Sequence, residues 1–481
     1  MRSPLSSIRS APVRTAAKAD ARDATRVRRG IEVLLVTLLV AATILLLTLQ
    51  NAKAMKIQTV KSPGGIEAWL VEDHSVPLIA MRFGFRGGST QDPPGKEGVA
   101  NFLTTMMDEG AGDLDAAAFQ ERAEAIAMRM SFSDARDAFY GNFETLTENR
   151  DAAVEMLRLA LTKPRFDADA MERMRKQLLA KLAFAARDPS KVAVKEWYAK
   201  AFEGHAYARQ ATGDEASIAA ITAADLEAFR KRNFARSNLS VTVVGDIDAP
   251  ALGKLLDDVF GGLPEKADLV TVEKARPKAG VEAVIDMAVP QSVAVFGVGA
   301  MMRKDPDFMA GFVMNHILGG GGFSSLLMEE VREKRGLAYS VYSYLQPEEH
   351  ASVLLGSVAT KNEAIAESLA VIRDSFKRLA TEGPTETELE NAKSYLVGSY
   401  ALRFDTSVKI ASQLLGIKME DLGVDYIETR NAQINAVTMA DVKRVAAELL
   451  KPENLVVTVV GRPQNLPGAA KPAALQVQSG G

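Results

Sequence analysis

The 481-residue sequence contains no cysteine, which excludes disulfides, iron-sulfur clusters and thiolate metal sites and leaves the chain indifferent to the redox state of its compartment. Histidine is nearly as scarce. The four residues His74, His205, His316 and His350 are far apart in sequence, so no pair has the i, i+4 spacing of a helical zinc site. Charge of one sign is also missing: 58 basic residues against 61 acids give a net charge of -3 and no general field for nucleic acid. With the thiolates absent, any metal would need histidine and carboxylates. What is abundant is apolar side chain, 47% of the sequence, enough for more than one core.

The N-terminus differs from the rest. Residues 1–30 are rich in arginine and end in "RVRRG", and Val33 to Leu49 then runs for seventeen residues without a charge. This segment meets a membrane. Ala52 and Ala54 follow at the small-residue positions of a cleavage site, so residues 1–54 are expected to be a signal peptide, or an anchor through residues 31–49 if left uncut. Either outcome places the globular part in the periplasm or otherwise outside the cytoplasm.

One unit occurs twice. "ITAADLEAFRKRNFARSNLSVTVVGDID" begins at Ile221 and "VTMADVKRVAAELLKPENLVVTVVGRPQ" at Val437, in register over their whole length with a constant offset of 216 residues. Each copy reads as a threonine-capped helix, a turn and an apolar strand closed by glycine. Both halves open with two strands and then turn helical. The pattern predicts an α+β protein of two homologous halves, each a mixed β-sheet covered by helices, over 55–262 and 281–464. A polar linker at 263–280 and a loose tail at 465–481 complete the division.

Within the first half, "GKEGVANFLTTMMDEG" from Gly95 to Gly110 predicts an amphipathic helix, with Val99, Phe102, Leu103 and Met106 on its apolar face. Asn101, Thr104, Thr105 and Asp108 share a second face. The first three stand at the spacing of an inverted zinc motif, His-x-x-Glu-His. By itself the face reads equally as the solvated side of an ordinary helix. In the second half, Gly319 to Gly322 predict a helix stop and tight turn, ahead of the charged run containing Arg332.

The two halves, the helix at the place of an inverted zinc motif and the stretch "LGGGGFSSLLMEEVREKRGLAYSVYSYL" together resemble the pitrilysin family, the inverzincin group of insulinase and the mitochondrial processing peptidases. The match is to its short, two-domain bacterial members and covers Met55 to Gln464. The resemblance implies that Arg332 and Tyr339, seven apart in "REKRGLAYSV", are the family's substrate-binding pair, whose strong donors hold peptide carbonyls. It also implies that Asn101, Thr104 and Thr105 occupy the places of His, Glu and His. A third ligand, a glutamate in active members, falls in the acid-free window Arg173 to Ala186, near Lys181. None of these residues is a good zinc ligand or general base.

The expectation is therefore a non-catalytic, substrate-binding subunit of a heteromeric zinc metallopeptidase acting on unfolded peptides. It would bind no metal itself, and zinc would sit on a homologous partner subunit. No nucleic acid is expected, and no membrane contact beyond residues 31–49. The alternative is a stand-alone peptide-binding or scaffold protein of the cell envelope.

Overall fold

A computed structural model describes residues 55–467; the expected signal or anchor segment and most of the expected tail lie outside the described residues. Among the described residues, eleven strands form two sheets. The first contains β1 (Gln58–Lys61), β2 (Glu67–Glu72), β3 (Leu78–Arg86), β4 (Arg129–Asp134), β5 (Ala138–Leu146) and β6 (Leu239–Gly245) in the order β1-β2-β6-β3-β5-β4. The second contains β7 (Glu282–Asp286), β8 (Gln291–Gly299), β9 (Val341–Pro347), β10 (Ser352–Lys361) and β11 (Val456–Gly461) in the order β7-β11-β8-β10-β9. Apart from β1 the two orders are the same. β6 lies parallel to β2 and antiparallel to β3, and β11 lies parallel to β7 and antiparallel to β8, so the repeat seen in the sequence is a repeat of topology.

The repeated helices are held by the same device. Thr222 accepts a hydrogen bond from the Asp225 amide while the Asp225 carboxylate accepts from Thr222, and Thr438 and Asp441 do likewise. Each sheet carries a large apolar core on one face. Phe83, Phe85, Phe139 and Phe143 belong to the first core, Phe296, Leu354 and Phe376 to the second.

The strands β3 and β8 are buried almost end to end, not in alternation, because each sheet is covered on both faces. The second cover comes from the other half. Helix Pro189–Ala201, from the first half, packs on β8 and β11 of the second sheet, whereas helix Ser407–Met419, from the second half, packs on β3 and β6 of the first. The hydroxyl of Thr458 donates to the Ala193 carbonyl and that of Thr242 to the Ala411 carbonyl, each at 2.8 Å and fully buried. These threonines hold one position of the sequence repeat. Trp197 donates its indole N–H to the Val456 carbonyl at 3.0 Å. A Cβ on Gly297 would stand 2.9 Å from the Trp197 ring, and one on Gly84 3.2 Å from Met419 Sδ, so both sheets carry glycine where the exchanged helix approaches.

The stretch expected to be a linker is pinned to both halves. The Val270 amide donates to the Gln91 side chain at 2.7 Å, that of Ala275 to the His350 carbonyl at 2.8 Å and that of Lys278 to the Ala201 carbonyl at 2.7 Å. The tips of the β4–β5 and β9–β10 hairpins also meet. Asp137 accepts from the Tyr207 hydroxyl and, at 3.0 Å, from the Glu349 amide, and Arg136 lies 3.7 Å from Glu348.

Candidate functional site

The helix expected over Gly95 to Gly110 is shorter, Val99–Thr104. Gly98 caps it in the left-handed region, φ 95°. At the other end the hydroxyls of Thr104 and Thr105 donate to the carbonyls of Asn101 and Phe102 at 2.7 and 2.8 Å, and the chain tightens into i to i+3 bonds before Gly110. The apolar face is as expected: Val99, Phe102, Leu103 and Met106 are buried in the first core.

On the other face the helix lies against β4, the edge strand of its sheet. Asn101 Nδ2 donates to Asp134 Oδ1 at 2.8 Å, and burial pushes the Asp134 carboxyl up despite that bond. Asp92 closes the start of the helix by accepting from the Gly98 and Ala100 amides at 2.8 and 2.9 Å. Its own burial dominates, and its carboxyl is pushed up to about 7. Neither aspartate was singled out in the sequence; "QDPPGKEG", an acid ahead of a glycine-led helix, is the signal that was available for Asp92.

This donor set does not fit zinc. The Asn101 amide and both threonine hydroxyls are engaged within the protein, the amide with Asp134 and the hydroxyls with backbone carbonyls. Lys181 is exposed on helix Ala168–Ala185 and joins no hydrogen bond or ion pair among the described residues. No group of three or more His, Asp or Glu able to hold a metal occurs among the described residues. The histidines have separate partners. His74 binds Asp246 at 2.6 Å, a bond that raises its pKa; His205 meets the Glu273 carbonyl at 2.8 Å. His316 stacks on Tyr395 at 5.1 Å between centroids, with burial lowering its pKa, and His350 lies 3.8 Å from Asp137.

Arg332 and Tyr339 lie together. The guanidinium carbon is 4.8 Å from the Tyr339 ring centroid, and Tyr339 is 81% exposed, far from the core position that an aromatic beside a strand suggests. Arg332 belongs to a π-helical turn, Met328–Glu333, packed against β9, which is the edge strand of the second sheet and the counterpart of β4. The helix ends within the glycine run and a tight turn follows, as expected, but the helix widens before it stops. Helix Phe308–Asn315 widens into a second π-helical turn, His316–Gly320, because Gly319 passes so close to β9 that a Cβ would stand 2.6 Å from the Ser343 nitrogen. A short turn, Gly322–Ser324, follows and carries Phe323 outward. Phe323, missed in the sequence, has its ring centroid 4.6 Å from the Arg332 guanidinium carbon.

A cavity of about 520 Å³ lies where the two hairpin tips meet, lined by Arg86, Arg136, Arg303, Glu348 and Asp421 among others. It includes neither the Asn101 group nor the Arg332 group.

The geometry has counterparts among known proteins. Residues 70–215 match the family model described as insulinase, peptidase family M16, and residues 220–396 match that of the peptidase M16 inactive domain. A crystal structure of a peptidase M16 inactive domain from Pseudomonas fluorescens is similar with a TM-score of 0.80 and 30% identity, covering 87% of this chain and all of that one. A protein of Helicobacter pylori named as the non-peptidase homolog YmxG is 27% identical over 77% of this chain and 86% of its own length. The probable mitochondrial-processing peptidase subunit beta of Schizosaccharomyces pombe is 25% identical over 80% of this chain and 86% of its own length.

Proposed function

Because the chain belongs to the insulinase peptidase family, M16, as a non-catalytic member, we propose that it is the substrate-holding subunit of a two-chain zinc peptidase. The partner is a homologous chain with an intact zinc motif, and the metal chemistry resides wholly on that partner. The observation that carries this reading is a contrast in free donors. At the former zinc positions the polar groups are used up internally, whereas the Arg332 terminal nitrogens meet no acceptor among the described residues and Tyr339 projects into solvent.

Such donors suit a peptide carbonyl. Held against Arg332 and Tyr339, the carbonyl is fixed in the geometry of attack, and the charge that develops on its oxygen is steadied by preorganised N–H and O–H groups. β9 is an edge strand, so its outward main-chain groups are available to an extended segment. An extended backbone is a property of unfolded peptides, which makes these the substrate class. The apolar segment at residues 31–49 supports a setting for the complex on the far side of the cytoplasmic membrane, in the periplasm.

Reconstitution tests this. Mixed with a zinc-bearing homologue encoded in the same genome, the chain is expected to yield cleavage of a quenched unfolded peptide that neither chain shows alone. Chelator-sensitive cleavage by this chain alone would overturn the reading. So would a mixture no faster than the homologue, and the chain would then be a stand-alone binding or scaffold protein.

A further inference from the structure

Phe323 is 68% exposed at the tip of its turn, so its ring contributes little to the core. It has one aromatic-to-cation neighbour among the described residues, Arg332, and Arg332 has two such rings, Phe323 at 4.6 Å and Tyr339 at 4.8 Å. The two rings do not pair with each other among the described residues, and each meets the guanidinium separately. The sole ion-pair contact of Arg332 is from Nε to Glu333 at 3.4 Å, which leaves Nη1 and Nη2 without an acceptor among the described residues. The neighbouring cations are committed elsewhere: Lys334 to Glu329 and Glu330, Arg335 to Glu330.

A guanidinium in contact with two π systems has part of its surface already out of water and fewer orientations open to it. It then presents a rigid pair of N–H groups along one edge. Two parallel donors match the two oxygens of a carboxylate better than the single oxygen of an amide, and the pairing is charge-assisted.

We propose that Phe323, Arg332 and Tyr339 form a carboxylate-binding site that selects peptides carrying an acidic side chain or a free C-terminus at this point. The proposal rests on the substrate-holding reading above and names its substrate class. Arg332 makes the contact through its terminal nitrogens, and the Tyr339 hydroxyl remains for the neighbouring peptide carbonyl. Phe323 is a positioning residue, which limits the orientations of the guanidinium from the turn that the glycines allow to reach outward; Gly322 has φ +60°.

Fluorescence anisotropy with the full chain and three labelled nonapeptides tests the proposal. The peptides share an Ala, Ser and Leu sequence: one has a central Glu and an amidated C-terminus, one a central Gln and an amidated C-terminus, one a central Gln and a free C-terminus. At least one of the two carboxylate peptides is expected to bind about tenfold tighter than the neutral one, and which of them does so identifies the source of the carboxylate. Raising the salt concentration should narrow the gap. Phe323→Leu keeps bulk but removes the π face, and should lower the ratio without altering the melting curve, whereas Phe323→Trp should restore it. Arg332→Lys keeps the charge and loses the fork, and should lower the ratio as well. Equal binding of all three peptides would overturn the carboxylate site and leave the substrate-holding reading standing. A ratio untouched by Phe323→Leu would overturn the role of the stack, and failure to bind either carboxylate peptide would overturn the carboxylate site, the substrate-holding reading being decided by the reconstitution.

Discussion

The region around Val99–Thr104 on β4 and the region from His316 to Tyr339 on β9 are built at corresponding places of two copies of one fold, yet they treat their polar groups in opposite ways. Around β4 they turn inward. Asn101 meets Asp134, Thr104 and Thr105 bond to their own backbone, and Asp92 closes the helix start. Around β9 the helix widens at the glycines, and Phe323, Arg332 and Tyr339 are left reaching outward. The comparison teaches that a shared scaffold fixes where a site can be but not whether it is open to a ligand. That is decided by whether its donors already have acceptors.

The scaffold itself gives the largest expected effect. The exchanged helices are equivalent in position but not in side chain, with Trp197 against Gly297 on one sheet and Met419 near Gly84 on the other. Trp197→Ala should cost about 3–5 kcal/mol and Met419→Ala about 2 kcal/mol in denaturant unfolding. Equal costs would show that the two sheets depend on their exchanged helices to the same degree. Next comes the site comparison. In a reconstituted complex, Tyr339→Phe should slow peptide cleavage on the order of a hundredfold, while Thr104→Ala should leave the rate near that of the unmodified chain. A reversal of the two outcomes would move the functional surface to β4.

Smaller effects sharpen the equivalence. Thr242→Val and Thr458→Val each remove a buried hydroxyl bonded to an exchanged helix, and each should cost about 1 kcal/mol. Unequal values in unfolding experiments would show that the repeat has diverged in its packing as well as its chemistry. The last effect is a slope with pH. The folded chain holds a proton on Asp92 up to about 7, whereas an unfolded aspartate loses it near 3.8, so the folded state carries more protons between those values. The contribution of Asp92 to stability is thus complete below the lower value and declines as pH rises toward 7. Unfolding midpoints across this range should fall less for Asp92→Asn.

Much of this was legible in the sequence because it is local. The threonine caps, the apolar strands and the 216-residue offset all appear as patterns within short windows, and they carried the two-sheet architecture. The apolar face of Val99, Phe102, Leu103 and Met106 was legible for the same reason, although the length of the helix was not. Its end depends on whether Thr104 and Thr105 turn their hydroxyls back to the chain, which a hydrophobic period does not report. The exchange of helices left no local trace: Trp197 and Thr458 look like an ordinary helix aromatic and an ordinary strand residue until the sheets are placed side by side. Arg332 and Tyr339 were singled out through their spacing in a family-like stretch and lie together in the structure, and Phe323 was missed because only the widened turn brings it to the guanidinium.

The helix exchange also has a bearing on how the chain is made. During synthesis β3 and β6 are complete by residue 245, but the face bearing Ala80, Gly84 and Thr242 stays bare until residues 407–419 leave the ribosome. Contacts of such sequence separation close slowly, and an uncovered sheet face is exposed to other chains in the meantime. A fragment ended after residue 280 should therefore aggregate instead of accumulating as a folded half.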